Sequence, residues 1–289
     1  MPTASANELM IEYETFGDAN CAPVLLIAGL GDQLTAWDED LCRALARDDF
    51  YVIRYDNRDA GGSTWFDDAG EPDVAELLAG TVALPYSMAD MATDAARLLD
   101  ALGLASAHVV GVSMGAMIAQ TFAISYSERT RTLTSIMGST GDPRIGQPHP
   151  DALGILLAPA PTTRDEAIAQ GVTASRVLGS PGFPLDEGLT RDQAGAAYDR
   201  AFHPSGEVRQ MAAIIFQEDR TAKLAEVSAA TLVIHGEADR LVDPSGGEAT
   251  AAAIPGARLK LVAGLGHDLP SGYLDELVTD LGQHFRQRV

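Results

Sequence analysis

HVVGVSMGAMIAQ, residues 108 to 120, narrows the possible folds more than any other stretch of the sequence. A run of strand character passes through Gly-Val-Ser-Met-Gly straight into a small-residue helical pattern, with no loop between them. A turn that tight holds its central residue, Ser113, in a strained backbone conformation. Gly111 and Gly115 are then required, because a side chain at either position would clash where strand and helix cross. The Ser113 hydroxyl is projected into a cleft at the carboxyl end of the sheet, beside helix amides that favour negative charge. A G-x-S-x-G match alone is weak. The strand before it and the helix after it supply the context that the motif demands.

The rest of the chain repeats this alternation. LMIEYETFG shows strand-like periodicity, APVLLIAG is a continuous apolar run, a helix is expected around Trp37 to Ala46, and FYVIRYD follows as a strand. Ser87 and Asp90 fit a capping box for a helix whose apolar face is Met88, Met91, Ala95, Leu98, Leu99 and Leu102, with Gly103 as its stop. The strand TLTSIMG comes after the helix that follows Ser113. Between residues 141 and 228 the alternation breaks into turn-rich segments and helical patterns. Thr163 with Glu166 and Thr190 with Gln193 resemble capping boxes, and Val208, Met211, Ala212, Ile215 and Phe216 follow a helical period. Strands resume at ATLVIHG and ARLKLVAG, and a last helix is expected over residues 271 to 287. The pattern implies an α/β fold, a mainly parallel sheet covered by helices, in which residues 1–140 and 229–289 form the core and 141–228 a helical insertion.

A serine hydroxyl needs a base to take its proton, and the base needs an orienting group. His267, in AGLGHDLP, follows the last strand at the same sheet end as Ser113 and is the candidate base. His108 begins a strand and His235 ends one, so both read as structural. His284 is expected on the surface of the last helix, and His149 and His203 belong to the insertion, where they could at most touch a substrate. Asp239, three residues after the strand ATLVIHG, is the candidate carboxylate. Its main rival is Asp142, after TLTSIMG, with Glu237 and Asp243 behind. An oxyanion site calls for two backbone amides, that of Met114 and that of Leu30, the latter flanked by Gly29 and Gly31 in AGLGDQ.

A net charge of −21 repels phosphate backbones and anionic lipid, so neither nucleic-acid nor membrane-surface binding is expected. Cys21 and Cys42 fall in no metal-ligand or redox spacing and read as free thiols of a reducing compartment. The N-terminal residues show neither a basic start nor an apolar run, so no signal peptide is expected and the protein reads as cytoplasmic. No phosphate loop, metal-ligand cluster or basic stripe is visible, and no cofactor or metal is expected.

With these residues in hand, the chain resembles the α/β-hydrolase superfamily from IAGLGD through GVSMG to EAD and GH. RYDNRDAGGST followed by HVVGVSMGAMIAQ is similar to the aclacinomycin methylesterase group and neighbouring bacterial esterases. Asp59, where most relatives carry glycine, is shared with that methylesterase. Asp56, Arg58 and Ser63 read as loop anchors rather than catalytic groups. The resemblance implies a helical cap at 141–228, inserted after the strand that follows the helix of Ser113, and a cofactor-independent carboxylic-ester hydrolase acting on a small-molecule ester. GVSMGAMIAQ is also similar to enol-lactonases, so the alternatives are lactone opening, cleavage of a carbon–carbon bond beside a ketone, and peracid formation, all with the same triad. Haloalkane dehalogenases and epoxide hydrolases resemble this fold but use an aspartate where this chain has Ser113.

Overall fold

The computed structural model describes residues 1–72 and 84–287. Eight strands form one sheet: β1 (Thr3–Ala6), β2 (Leu9–Phe16), β3 (Ala22–Ile27), β4 (Phe50–Tyr55), β5 (Ala107–Val112), β6 (Thr130–Ile136), β7 (Ala230–Gly236) and β8 (Arg258–Val262). Their order is β1-β2-β4-β3-β5-β6-β7-β8, antiparallel at the β1-β2-β4 edge and parallel from β4 onward. The central strands are apolar on both faces because helices cover both. One face packs α2 (Met88–Ala101) and α3 (Met114–Ser125) through Met91, Leu98, Ile118 and Phe122. The other packs α1 (Glu39–Arg47) and α10 (Leu274–Phe285) through Leu41, Leu45, Leu277 and Leu281. Between β7 and β8 lies α9 (Ser245–Ala253).

Between β6 and β7 the chain passes through α4 (Pro150–Leu156), α5 (Arg164–Leu178), α6 (Glu187–Arg200), α7 (Pro204–Ile215) and α8 (Thr221–Leu224), with no strand among the described residues. Buried ion pairs tie this segment to the turn after β4. Arg209 of α7, 1% exposed, grips Asp59 with two hydrogen bonds of 2.8 Å. Arg200 of α6 reaches Asp56 at 2.6 Å and also pairs with Glu12. Asp59 has φ +65°, a left-handed backbone that costs a side chain little only in Gly, Asn or Asp, and its carboxylate is used at once: it also accepts from the Tyr86 hydroxyl at 2.7 Å.

The expected elements shift in four places. The first helix begins at Glu39, because Asp38 accepts from the Asp40 and Leu41 amides, so Trp37 lies before it. Thr190 lies inside α6 rather than before it. Asp186, a carboxylate four residues earlier, caps that helix through the Leu189 amide, and Thr190 turns its hydroxyl to the Asp186 carbonyl. In α7 the buried side includes Arg209 and Gln210 while Ile215 is 49% exposed, so pairing across the fold overrides the apolar period. His284 is fully buried instead of lying on the surface, with Nε2 3.0 Å from the Leu133 carbonyl. The Ser87–Asp90 capping box forms as read. The Thr163 box forms by half, since Glu166 turns its carboxylate to Thr162. Both cysteines are free, and burial pushes the Cys42 thiol up to about 12. No helix of the described residues is long and apolar enough to cross a membrane.

Truncating Arg209 leaves the Asp59 carboxylate buried without its partner. Arg209→Ala is therefore expected to lower unfolding free energy by about 3–5 kcal/mol. Urea denaturation checks this, and a loss under about 1 kcal/mol would show the pair to be dispensable.

Candidate active site

Ser113 occupies the turn between β5 and α3 with φ 54° and ψ −119°. The turn is possible only because α3 crosses the sheet without side chains in between. A Cβ on Gly111 would lie 2.0 Å from the Gly115 carbonyl oxygen, and one on Gly115 would lie 2.1 Å from that of Ile27. Ser113 is half-buried, with its hydroxyl toward the ends of the parallel strands.

The structure brings the three predicted side chains into one line. Ser113 Oγ lies 2.9 Å from His267 Nε2, and His267 Nδ1 lies 2.7 Å from Asp239 Oδ2. With the Nδ1–H donating to the carboxylate, Nε2 is left to accept the serine proton. Asp239 is itself fixed: its Oδ1 accepts from the Leu241 and Val242 amides at 2.9 Å, and His235 Nε2 stands 3.4 Å from its Oδ2. Burial alone would raise the Asp239 carboxyl. Hydrogen bonds from His235 and His267, the nearby imidazole and the Val242 amide outweigh it and hold the group down at about 2. A hydroxyl, imidazole and ionised carboxylate in this order can generate an oxygen nucleophile and return its proton to a leaving group.

The rival acids lie elsewhere. Asp142 is engaged by Arg144 through Nε and Nη2 at 2.9 and 2.6 Å, and Asp243 accepts from the Ser245 amide. Glu237 is exposed. Among the other histidines, His108 bonds Thr132, His235 bonds the Val242 carbonyl, and His149 meets Arg240. His203 stacks on Trp65 at 3.9 Å between ring centres.

Leu30 sits in the loop after β3, and Met114 is the first residue of α3. Neither amide is taken up by a hydrogen bond among the described residues, whereas the next amide, Gly31 N–H, donates to Gln210 Oε1 at 2.8 Å. Gln210 also donates to the Arg58 carbonyl at 2.8 Å, so α7 fixes the loop that carries Leu30. Asp56, Arg58 and Ser63 anchor the neighbouring turn. Asp56 accepts from the Leu34 and Gly62 amides, Arg58 forks onto Asp94, and Ser63 donates to the Asp56 carbonyl.

Two contacts escaped the sequence reading. The His267 amide donates to the Leu178 carbonyl at the end of α5, at 2.7 Å. Ser180 accepts from the Gly266 amide at 2.8 Å and donates to Asp268. Both pairs join positions more than eighty residues apart, and no local pattern marks such partners. A cavity of about 480 Å³ opens beside Gly31 and Glu207 and runs between α5, α6 and α7, walled largely by alanines with Tyr198 and Phe202.

The chain matches the family described as alpha/beta hydrolase fold over residues 22–270, and it belongs to that family. It is 31% identical to rhodomycin D methylesterase DauP of Streptomyces sp. (strain C5), with 99% of each chain covered. It is 26% identical to 3-oxoadipate enol-lactonase 2 of Acinetobacter baylyi, covering 85% of this chain and 82% of that one. The fold is shared with an enol-lactonase from Burkholderia xenovorans LB400, at a TM-score of 0.77 and 21% identity over 99% of this chain and all of the other.

Because its carboxyl is held near 2 in the fold, Asp239 contributes stability that is present above the ordinary carboxylate range near 4 and is lost as pH falls through about 2. The contribution is on the order of 2 kcal/mol. Urea titrations at pH 6 and at pH 2.5 should show a larger acid loss for wild type than for Asp239→Asn. Equal losses would mean that the carboxylate is not held this way.

Proposed function

We propose that the protein is a serine hydrolase of carboxylic esters that works through an acyl-enzyme. The observation that carries this reading is the pair of hydrogen bonds linking Ser113, His267 and Asp239 at the end of the sheet. His267 takes the hydroxyl proton as Ser113 Oγ attacks the ester carbonyl, and the oxyanion rests on the Leu30 and Met114 amides. His267 then gives the proton to the departing alcohol. Water, activated by the same imidazole, releases the acid and restores the serine. Asp239 fixes the imidazole tautomer and, remaining ionised, stabilises its charged form.

The full-length likeness to a methylesterase favours small alkyl esters over other acyl chemistry. Residues 141–228 serve as the cap over a core of 1–140 and 229–289. The Leu178 and Ser180 contacts to the His267 loop support that division, as do the Arg200 and Arg209 pairs. The substrate is a small molecule, for which the alanine-walled cavity beside Gly31, next to the loop of Leu30, offers room. Enol-lactone opening is the second reading, favoured by the likeness to 3-oxoadipate enol-lactonase 2, since an enol-lactone is itself an ester.

A p-nitrophenyl ester series from acetate to palmitate tests the proposal. Short chains are expected to turn over, with the cap setting the length limit. Ser113→Ala is expected to lose roughly ten-thousand-fold or more in turnover and all labelling by a fluorophosphonate probe. Undiminished hydrolysis by that variant would refute the role of Ser113. Turnover of lactones but of no open-chain ester would move the second reading ahead.

A further inference from the structure

Beside the proposed oxyanion site stand two acids that the reaction, as derived, does not use. Asp32 folds back over Gly29: a methyl group on that glycine would lie 2.8 Å from Asp32 Oδ2 and 3.5 Å from the Ser113 Cβ. One methyl's breadth therefore separates this carboxylate from the reacting serine. Glu207 of α7 packs its carboxyl over Gly31, where an added Cβ would lie 3.1 Å from Glu207 Cδ. The two acids thus flank Leu30 from either side. Both residues are open to solvent, Glu207 in the cavity, yet protein packs closely around their carboxyls. That enclosure pushes Asp32 up to about 6, against the pull of His267 and the Gly29 amide, and it also raises Glu207, with Asp32 adding to the effect.

Acidic residues on a surface this acidic mean little by themselves. Asp32 differs because a serine already aligned with its base lies next to it, so whatever reacts there must pass within its field. Among the described residues lining the cavity beside Glu207 there is no lysine or arginine, and the acids there are Asp59 and Glu207. Asp32 stands outside that lining, with His267 acting on it. Asp59 is spoken for by Arg209, while Arg200 is committed to Asp56 and Glu12. Charges a few ångströms apart in a partly enclosed site interact far more strongly than in open water.

We infer that Asp32, seconded by Glu207, selects substrates by charge, so that the site favours esters carrying a cationic amine near the scissile carbonyl and rejects esters carrying a carboxylate there. This rests on the ester-hydrolase reading and narrows it to neutral and, above all, cationic esters. A carboxylate-bearing ester would meet like charge at the moment when the oxyanion adds a further negative charge. A bound cation would offset it.

Three esters of similar size test the inference: methyl butyrate, methyl γ-trimethylammoniobutyrate and monomethyl succinate. Each is read as a substrate by acid release and as a competitor of p-nitrophenyl acetate hydrolysis. At pH 8 the cationic ester is expected to exceed the anionic one at least tenfold in kcat/KM or in competition. Asp32→Asn should compress that ratio to about threefold or less, Glu207→Gln should compress it by less, and Asp32→Glu should retain the order. The ratio between two substrates at one pH cancels the protonation of His267. It should therefore fall as pH drops below about 6 and Asp32 becomes neutral, with Glu207 and His267 the other titratable groups facing it. Equal handling of cationic and anionic esters, or a ratio unmoved in Asp32→Asn, would overturn the inference and leave the ester reading intact. Failure to hydrolyse p-nitrophenyl acetate or any of the three would overturn both.

Discussion

The closeness with which α3 crosses β5 and the end of β3 is the constraint on which the rest depends. At Gly111 and Gly115 backbone meets backbone, and even one added carbon would fall about 2 Å from a carbonyl oxygen. That approach forces Ser113 into its left-handed turn and brings the loop after β3 close to the serine. The strain at Ser113 persists because β5 is paired on both sides, with β3 and β6, and cannot yield. A rigid sheet thereby holds the Ser113 hydroxyl in place beside His267.

Around this fixed point, the helical segment between β6 and β7 supplies support from a distance. Arg200 and Arg209 anchor it to the turn after β4, Gln210 holds the loop of Leu30, and Leu178 with Ser180 holds the loop of His267. Buried ion pairs seldom add much net stability compared with apolar packing, but each is costly to break. Their effect here is to make one arrangement of the segment preferable to its alternatives. Both halves of the proposed mechanism, the oxyanion amides and the base, are thus braced by residues that, among those described, make no hydrogen bond to Ser113.

The electrostatics near Ser113 are divided. Asp239 is fed hydrogen bonds from two imidazoles and two amides and stays ionised deep into acid. Asp32, two residues past Leu30 and poor in such donors, is raised chiefly by desolvation. The two carboxylates differ because hydrogen bonds and the His267 imidazole outweigh desolvation at Asp239 and do not at Asp32.

Much of this was legible in the sequence, because the features involved are local. A G-x-S-x-G between a strand and a helix, glycines flanking Leu30, and an acid and a histidine just past the last two strands all follow from short-range backbone rules, which also dictate the alternation of an α/β fold. What resisted reading is of two kinds. Short polar signals were outcompeted nearby, as when Asp186 rather than Thr190 capped α6, and strand β1 is too short and mixed to show a period. Long-range partners left no local trace: the burial of His284 against Leu133, the grip of Arg209 on Asp59, and the packing of Glu207 over Gly31 join positions distant along the chain. Short-range rules in the chain dictate which backbone turns form and which residue types stand at the sheet edge. Which charges face one another there follows from how segments far apart in the chain pack through space.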